Sequence, residues 1–125
     1  MEVTKEKNDK IGSLNFATVY NCYIKKIEKK NRTKNELNEV IEWLTGYKEE
    51  QILDFINKNV TLKIFFEKAN INANAKLIKG VICGYRIENI NFELAKNGRR
   101  LDKLVDELAK GYKLDKILKY SISKS

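Results

Sequence analysis

The side chains here with chemical potential are lysines, carboxylates and two cysteines; histidine is absent. Without imidazole there is no Ser-His-Asp or Cys-His catalysis, no imidazole ligand for zinc and no histidine pH switch. The densest charge is the run Lys25, Lys26, Lys29, Lys30, Arg32 and Lys34, six positive residues in ten against Glu28 alone. Such a run can grip phosphates with salt-dependent affinity, although a solvated helix end is the plainer account. Asp102 and Asp106 lie one helical turn apart, with Arg99 before them and Lys110 after. A carboxylate pair can hold a divalent ion or move a proton. No third ligand stands nearby, so a surface ladder Arg-Asp-Asp-Lys is expected instead.

Cys22 and Cys83 are 61 positions apart, a spacing that fits no metal or redox motif. Both are expected to be reduced and packed as small apolar residues. Cys83, with Gly84 beside it and Arg86 close by, would be a reactive thiolate only if a cation lowered its pKa; a buried thiol is the expectation. Tyr20, Tyr23, Trp43 and Tyr47 can form either a stacking patch or a core with its polar tips at the surface. The candidate surface or pocket set is therefore Tyr20, Trp43, Tyr47, Cys83 and Arg86, and the question is whether these residues surround a cavity. Neither a P-loop nor G-x-G-x-x-G occurs. No catalytic residue, cofactor or metal ligand is assigned.

These groups sit in a chain of 125 residues, which suits one domain with its own core. Lys+Arg at 25 against Asp+Glu at 17 gives a net charge of +8. Of the basic residues 21 are lysine, and asparagine and isoleucine occur 14 times each, a composition that AT-rich coding favours. Part of the charge is then compositional, and net charge speaks to solubility and polyanion attraction rather than to fold. No apolar run approaches the roughly 18 residues of a membrane helix. Met1 to Lys10 is too polar for a signal peptide, so a cytoplasmic location is expected.

Apolar spacing places the elements. Residues 1–12 read as a loosely attached polar arm, 13–120 as one helical domain and 121–125 as a tail. Phe16, Tyr20, Tyr23, Ile24 and Ile27 form one stripe of a helix over 15–30. Thr33 with Glu36 makes a capping box, Leu37, Val40, Ile41 and Leu44 follow, and Gly46 closes a helix over 34–45. A helix over 49–57 exposes Glu49, Glu50 and Asp54. With its neighbour it resembles a helix-turn-helix, but that charge repels DNA. Thr61 caps a short helix carrying Leu62, Phe65, Phe66 and Ala69. Residues 77–90 fit strand and helix periods alike, with a strand-like or irregular segment favoured. A helix lies within 92–110, with Gly98 as a break that leaves 99–110 as its body. A last helix spans 113–120. The fold class is mainly α: a compact single-domain bundle of five or six short helices, with a short strand-like segment near 80–88.

The segments FATVYNCYIKKIEKKNRTKNELNEVIEWLTGY (16–47), LIKGVICGYRIENI (77–90) and LDKLVDELAKG (101–111) resemble a bacterial family known as domain of unknown function 2200. The likeness covers about residues 10–119. It implies a mainly helical fold and no activity or substrate. The family pattern has an acidic-proline turn near 92 and an apolar residue near 98, where this chain has Phe92-Glu93 and Gly98. Complete core stripes without a convergent catalytic set suggest a non-catalytic binding or protein-interaction module. Self-association as a homodimer is expected if Trp43 and Tyr47 are exposed. The alternative is weak, non-specific nucleic-acid binding through 25–34 together with Arg99 and Arg100. The third reading, an enzyme, needs a deep pocket where Cys83, Arg86 or Asp102 converge. No membrane partner is expected.

Overall fold

The computed structural model describes residues 2–118. Its helices are α1 (Lys5–Ser13), α2 (Phe16–Glu28), α3 (Lys34–Thr45), α4 (Glu49–Asn57), α5 (Leu62–Glu67), α6 (Glu93–Ala109) and α7 (Leu114–Ile117). Single 3₁₀ turns occupy Ala73–Leu77 and Ile87–Asn89, and the strands β1 (Val81–Ile82) and β2 (Tyr85–Arg86) pair antiparallel. The architecture is thus mainly α, as the apolar spacing predicts. The expected tail and residues 119–120 of the last helix lie outside the described residues.

Helix α6 is the axis around which the others assemble; α1, α2, α3, α5 and α7 all pack on it. Its stripe Leu101, Leu104, Val105 and Leu108 is buried against Leu37, Val40, Ile41 and Leu44 of α3 and Phe16, Tyr20 and Ile27 of α2 in one continuous core. Phe16 stacks on Phe65 with ring centroids 4.0 Å apart. Tyr20 donates to Asn38 Oδ1 at 2.6 Å and Tyr47 donates to the Phe65 carbonyl at 2.7 Å. Both hydroxyls are therefore satisfied inside the protein, as buried phenols must be.

Caps also act as joints. Asn15 caps α2 by accepting from the Thr18 amide, and Thr61 caps α5 by accepting from the Ile64 amide. The same two residues face each other across an isolated antiparallel bridge, with Phe16 N–H on the Val60 carbonyl and Leu62 N–H on the Leu14 carbonyl. One pair of backbone bonds thereby fixes where two helices start. The Thr33–Glu36 capping box is present, and Gly46 closes α3 at φ 77°.

Three expectations are corrected. Residues 2–12 of the expected arm are not loose: α1 packs on α5 and α6, and Val3 is buried with Ile90 and Ala95, while residue 1 lies outside the described residues. Gly12 is buried, and a Cβ there would come within 2.7 Å of Leu94 Cδ2, so its lack of a side chain permits the close approach. Gly98 does not break α6, which runs unbroken from Glu93 to Ala109. The helical cost of an interior glycine is about 1 kcal/mol, and docking of α1 and α5 along this half of the helix offsets it. Neither cysteine is in the core: both are exposed. Cys22 sits two positions from Tyr20 and Ile24, off the α2 stripe, and Cys83 is at the tip of the β1–β2 hairpin.

Candidate functional site

The basic run divides in two once folded. Arg32 is structural. Its Nη1 donates to the carbonyls of Leu108 at 3.0 Å and Tyr112 at 2.6 Å, while Nε and Nη2 donate to Glu36 Oε2. The other Glu36 oxygen accepts from the Thr33 amide. One guanidinium thus ties the α6 C-terminus to the α3 N-cap, a fork geometry that lysine does not offer. The Glu36 carboxyl is held below its ordinary pKa by the Arg32 hydrogen bond, with burial opposing and the Thr33 amide adding to it. Lys26 is committed to Asp106 at 3.3 Å. Lys25, Lys29, Lys30 and Lys34 are exposed and make no ion pair among the described residues.

The expected ladder on α6 is present: Arg99 lies 3.0 Å from Asp102 and Lys110 lies 3.1 Å from Asp106. Helix α2 adds the second side, with Tyr23 donating to Asp102 and Lys26 to Asp106. Residues three apart on one helix meet residues four apart on the other, which is the signal that a one-helix reading misses. Burial pushes Asp106 up, but the Lys110 and Lys26 hydrogen bonds outweigh it, so its pKa is lowered. Burial, then the Asp102 charge, pushes the Tyr23 hydroxyl well above its usual value. Arg99 also stacks over the Tyr85 ring at 4.6 Å. Arg100, expected on a nucleic-acid face, is 6% exposed and bonded to Asn97.

The five candidate pocket residues do not meet. Tyr20 and Tyr47 are in the core, so a paired Trp43–Tyr47 surface patch does not form. Trp43 is half-buried on the wall of an open groove of about 710 Å³, beside Glu39, Glu42 and Ile71. Cys83 is at the hairpin tip, and Arg86 is exposed, 3.7 Å from Glu88, by a separate depression near Val3. Cys83, Arg86 and Asp102 therefore share no cavity. Among the described residues no group of three acidic or cysteine side chains is placed to hold a metal ion.

A recess that sequence reading did not single out lies where α2, α3 and α4 meet. Lys34, Glu49 and Leu53 surround a hollow of about 50 Å³ floored by Tyr20, Ile52 and Ile56. Leu53 is 51% exposed. Its place on an otherwise acidic helix face was the available signal.

The pattern that defines DUF2200, described as an uncharacterized protein conserved in bacteria, matches residues 10–119. The chain belongs to this family. The DUF2200 fold seen here is also that of a crystal structure described as uncharacterized protein SP1917, with 40% sequence identity and a TM-score of 0.87 over 92% of this chain and 96% of the other. No curated protein matches the sequence. Among the described residues of this DUF2200 member, no helix is long and apolar enough to cross a membrane.

Proposed function

We propose that this DUF2200 chain is a non-catalytic protein-interaction module that engages its partner at the α2–α3–α4 recess. The observation that carries this reading is the half-exposed Leu53 set between Lys34 and Glu49, an apolar centre with a rim of both charge signs. Protein interfaces have this anatomy, whereas a long polyanion would be repelled by Glu49, Glu50 and Asp54 alongside. Two free exposed thiols suit a reducing, cytoplasmic setting. The test is a photo-crosslinking residue placed at Leu53 in cells, with one at Glu67 on α5 as the off-site control. A defined adduct at 53 that disappears with Lys34→Glu and is missing at 67 supports the recess. Equal labelling at both positions, or none at 53, refutes it.

The second reading, weak nucleic-acid binding, rests on Lys25, Lys29, Lys30 and Lys34, the four lysines of the basic run that make no ion pair among the described residues. Duplex binding measured at two salt concentrations decides it: affinity that falls steeply with salt is expected, and no association at low salt ends it.

A further inference from the structure

Helices α2 and α6 run side by side, with Tyr23 on Asp102 and Lys26 on Asp106, so their C-terminal ends come together. Arg32 closes this end by donating to the Leu108 and Tyr112 carbonyls, and it occupies acceptors that would otherwise face an approaching anion. Lys25, Lys29 and Lys30 of the α2 end are thereby joined by Lys113; all four are exposed and make no ion pair among the described residues. Lys26 and Lys110 share Asp106 between them, and Glu28 and Glu107 are the other acidic side chains at this end. An aromatic ring stands in the charged face. Gly111, at φ 90°, ends α6, and the Tyr112 N–H turns back to donate to the Glu107 carbonyl. With Arg32 on its own carbonyl, the Tyr112 backbone is held from both sides, yet the residue is 47% exposed. The Lys110 pKa is raised chiefly by the Asp106 hydrogen bond, and the Tyr112 hydroxyl adds to this, so the ring is within electrostatic reach of that ammonium group.

We infer that the face formed by Lys25, Lys29, Lys30, Tyr112 and Lys113 binds single-stranded nucleic acid, with a base stacked on the Tyr112 ring. Single strands are held by this combination, cations along the phosphates and an accessible ring for a base. The inference rests on the nucleic-acid reading above and gives it a narrower ligand. In a duplex the bases are already stacked on one another and do not reach a ring on the protein surface, so a duplex has only the lysines to hold it. A lipid surface fits less well. It calls for apolar side chains that insert, and the α2 stripe of Phe16, Tyr20 and Ile27 is spent in the core. Lys34 is not part of this face, because it lines the recess.

The test measures fluorescence anisotropy of three labelled probes with the full chain at low salt: an oligothymidylate, a strand of equal length built from abasic sites, and a duplex. Four lysine–phosphate contacts at about 0.7 of a counter-ion each predict a roughly 50-fold loss of affinity for the strand between about 50 and about 200 mM salt. The thymidylate should bind about tenfold more tightly than the abasic strand, the scale of one stacked base. Tyr112→Ala should remove that advantage and leave the abasic strand and the duplex unaffected, while Tyr112→Phe should keep it. Only the Tyr112 backbone serves the helix cap and Arg32, so both variants are expected to fold. Lys29→Glu together with Lys30→Glu should weaken all three probes. Equal affinity for the two strands, or thymidylate binding unchanged in Tyr112→Ala, overturns the inference, and salt-dependent duplex binding then leaves the lysine reading standing. No association with any probe at low salt overturns both. Binding to phosphatidylserine vesicles without binding to the thymidylate assigns the face to lipid and overturns the inference likewise.

Discussion

At the scale of single residues, side chains of the same charge have different roles. Arg32 holds four hydrogen bonds across three segments, whereas Lys30 two positions earlier faces solvent. Replacing Arg32 by lysine keeps the charge and loses the fork. It should destabilise the chain by about 2 kcal/mol, read from the midpoint of urea unfolding. An unchanged midpoint would show that the Leu108 and Tyr112 carbonyls find water instead. Cys83 is the opposite case, a residue that costs stability where it stands. It occupies φ 53° next to Gly84 at φ 82° in the hairpin tip, the pair of positive angles of a type I′ turn, where Asn-Gly is favoured. Cys83→Asn should therefore stabilise by about 0.5–1 kcal/mol and raise the melting temperature by about 3 °C. A lower melting temperature would mean that the thiol makes a favourable contact there.

At the scale of elements, the polar first helix is a working part of the fold. Phe92 at the N-cap of α6 has no side-chain acceptor, and the Ala95 amide is capped instead by Asn8 Oδ1 of α1 at 3.0 Å. Asn8→Ala should cost about 1 kcal/mol, as removal of a local cap does, and hydrogen exchange should quicken first at residues 93–96. Unaltered exchange there would mean that α6 does not depend on this cap. The supporting signals explain why α3 and α4 were legible from the chain alone and α1 was not. The Thr33–Glu36 box, the α3 stripe and Gly46 are all local, so 34–45 and 49–57 match the structure at both ends. Helix α1 has a polar composition and Gly12 in its last turn, and its order comes from a surface 80 positions away. The 77–90 run was ambiguous because its apolar residues satisfy both periods; the paired positive angles at Cys83 and Gly84 turn it into a hairpin.

At the scale of the whole molecule, the absence of histidine predicts an unusual pH profile. Glu36 and Asp106 are held below their ordinary pKa, so each favours folding above the unfolded carboxylate value of about 4 and loses that contribution as pH falls through the folded value. Tyr20 and Tyr47 are pushed up to about 12, chiefly by burial. Their stabilisation is complete below the unfolded value of about 10 and disappears as pH rises through about 12. Stability should thus be flat between about pH 5 and about pH 9. Urea midpoints measured across that range test this, and a step near neutrality would contradict it.

What the chain alone determined is what local spacing can carry: helical class, the stripes on α2, α3 and α6, the capped ends of α3, and the Arg-Asp-Asp-Lys ladder. These depend on neighbours three or four positions apart, and a sequence displays those directly. The tertiary structure decided which charges are spent and which are available. Arg32 and Arg100 became internal supports, Tyr20 and Tyr47 turned their hydroxyls inward, Cys22 and Cys83 came out to solvent, and Leu53 was left beside Lys34 and Glu49. For Arg32 and the two tyrosines the outcome depends on partners 18 to 80 positions distant, as in Arg32 with the Leu108 carbonyl and Tyr20 with Asn38. No periodicity within one helix encodes such pairings, because they follow from how separate helices cross.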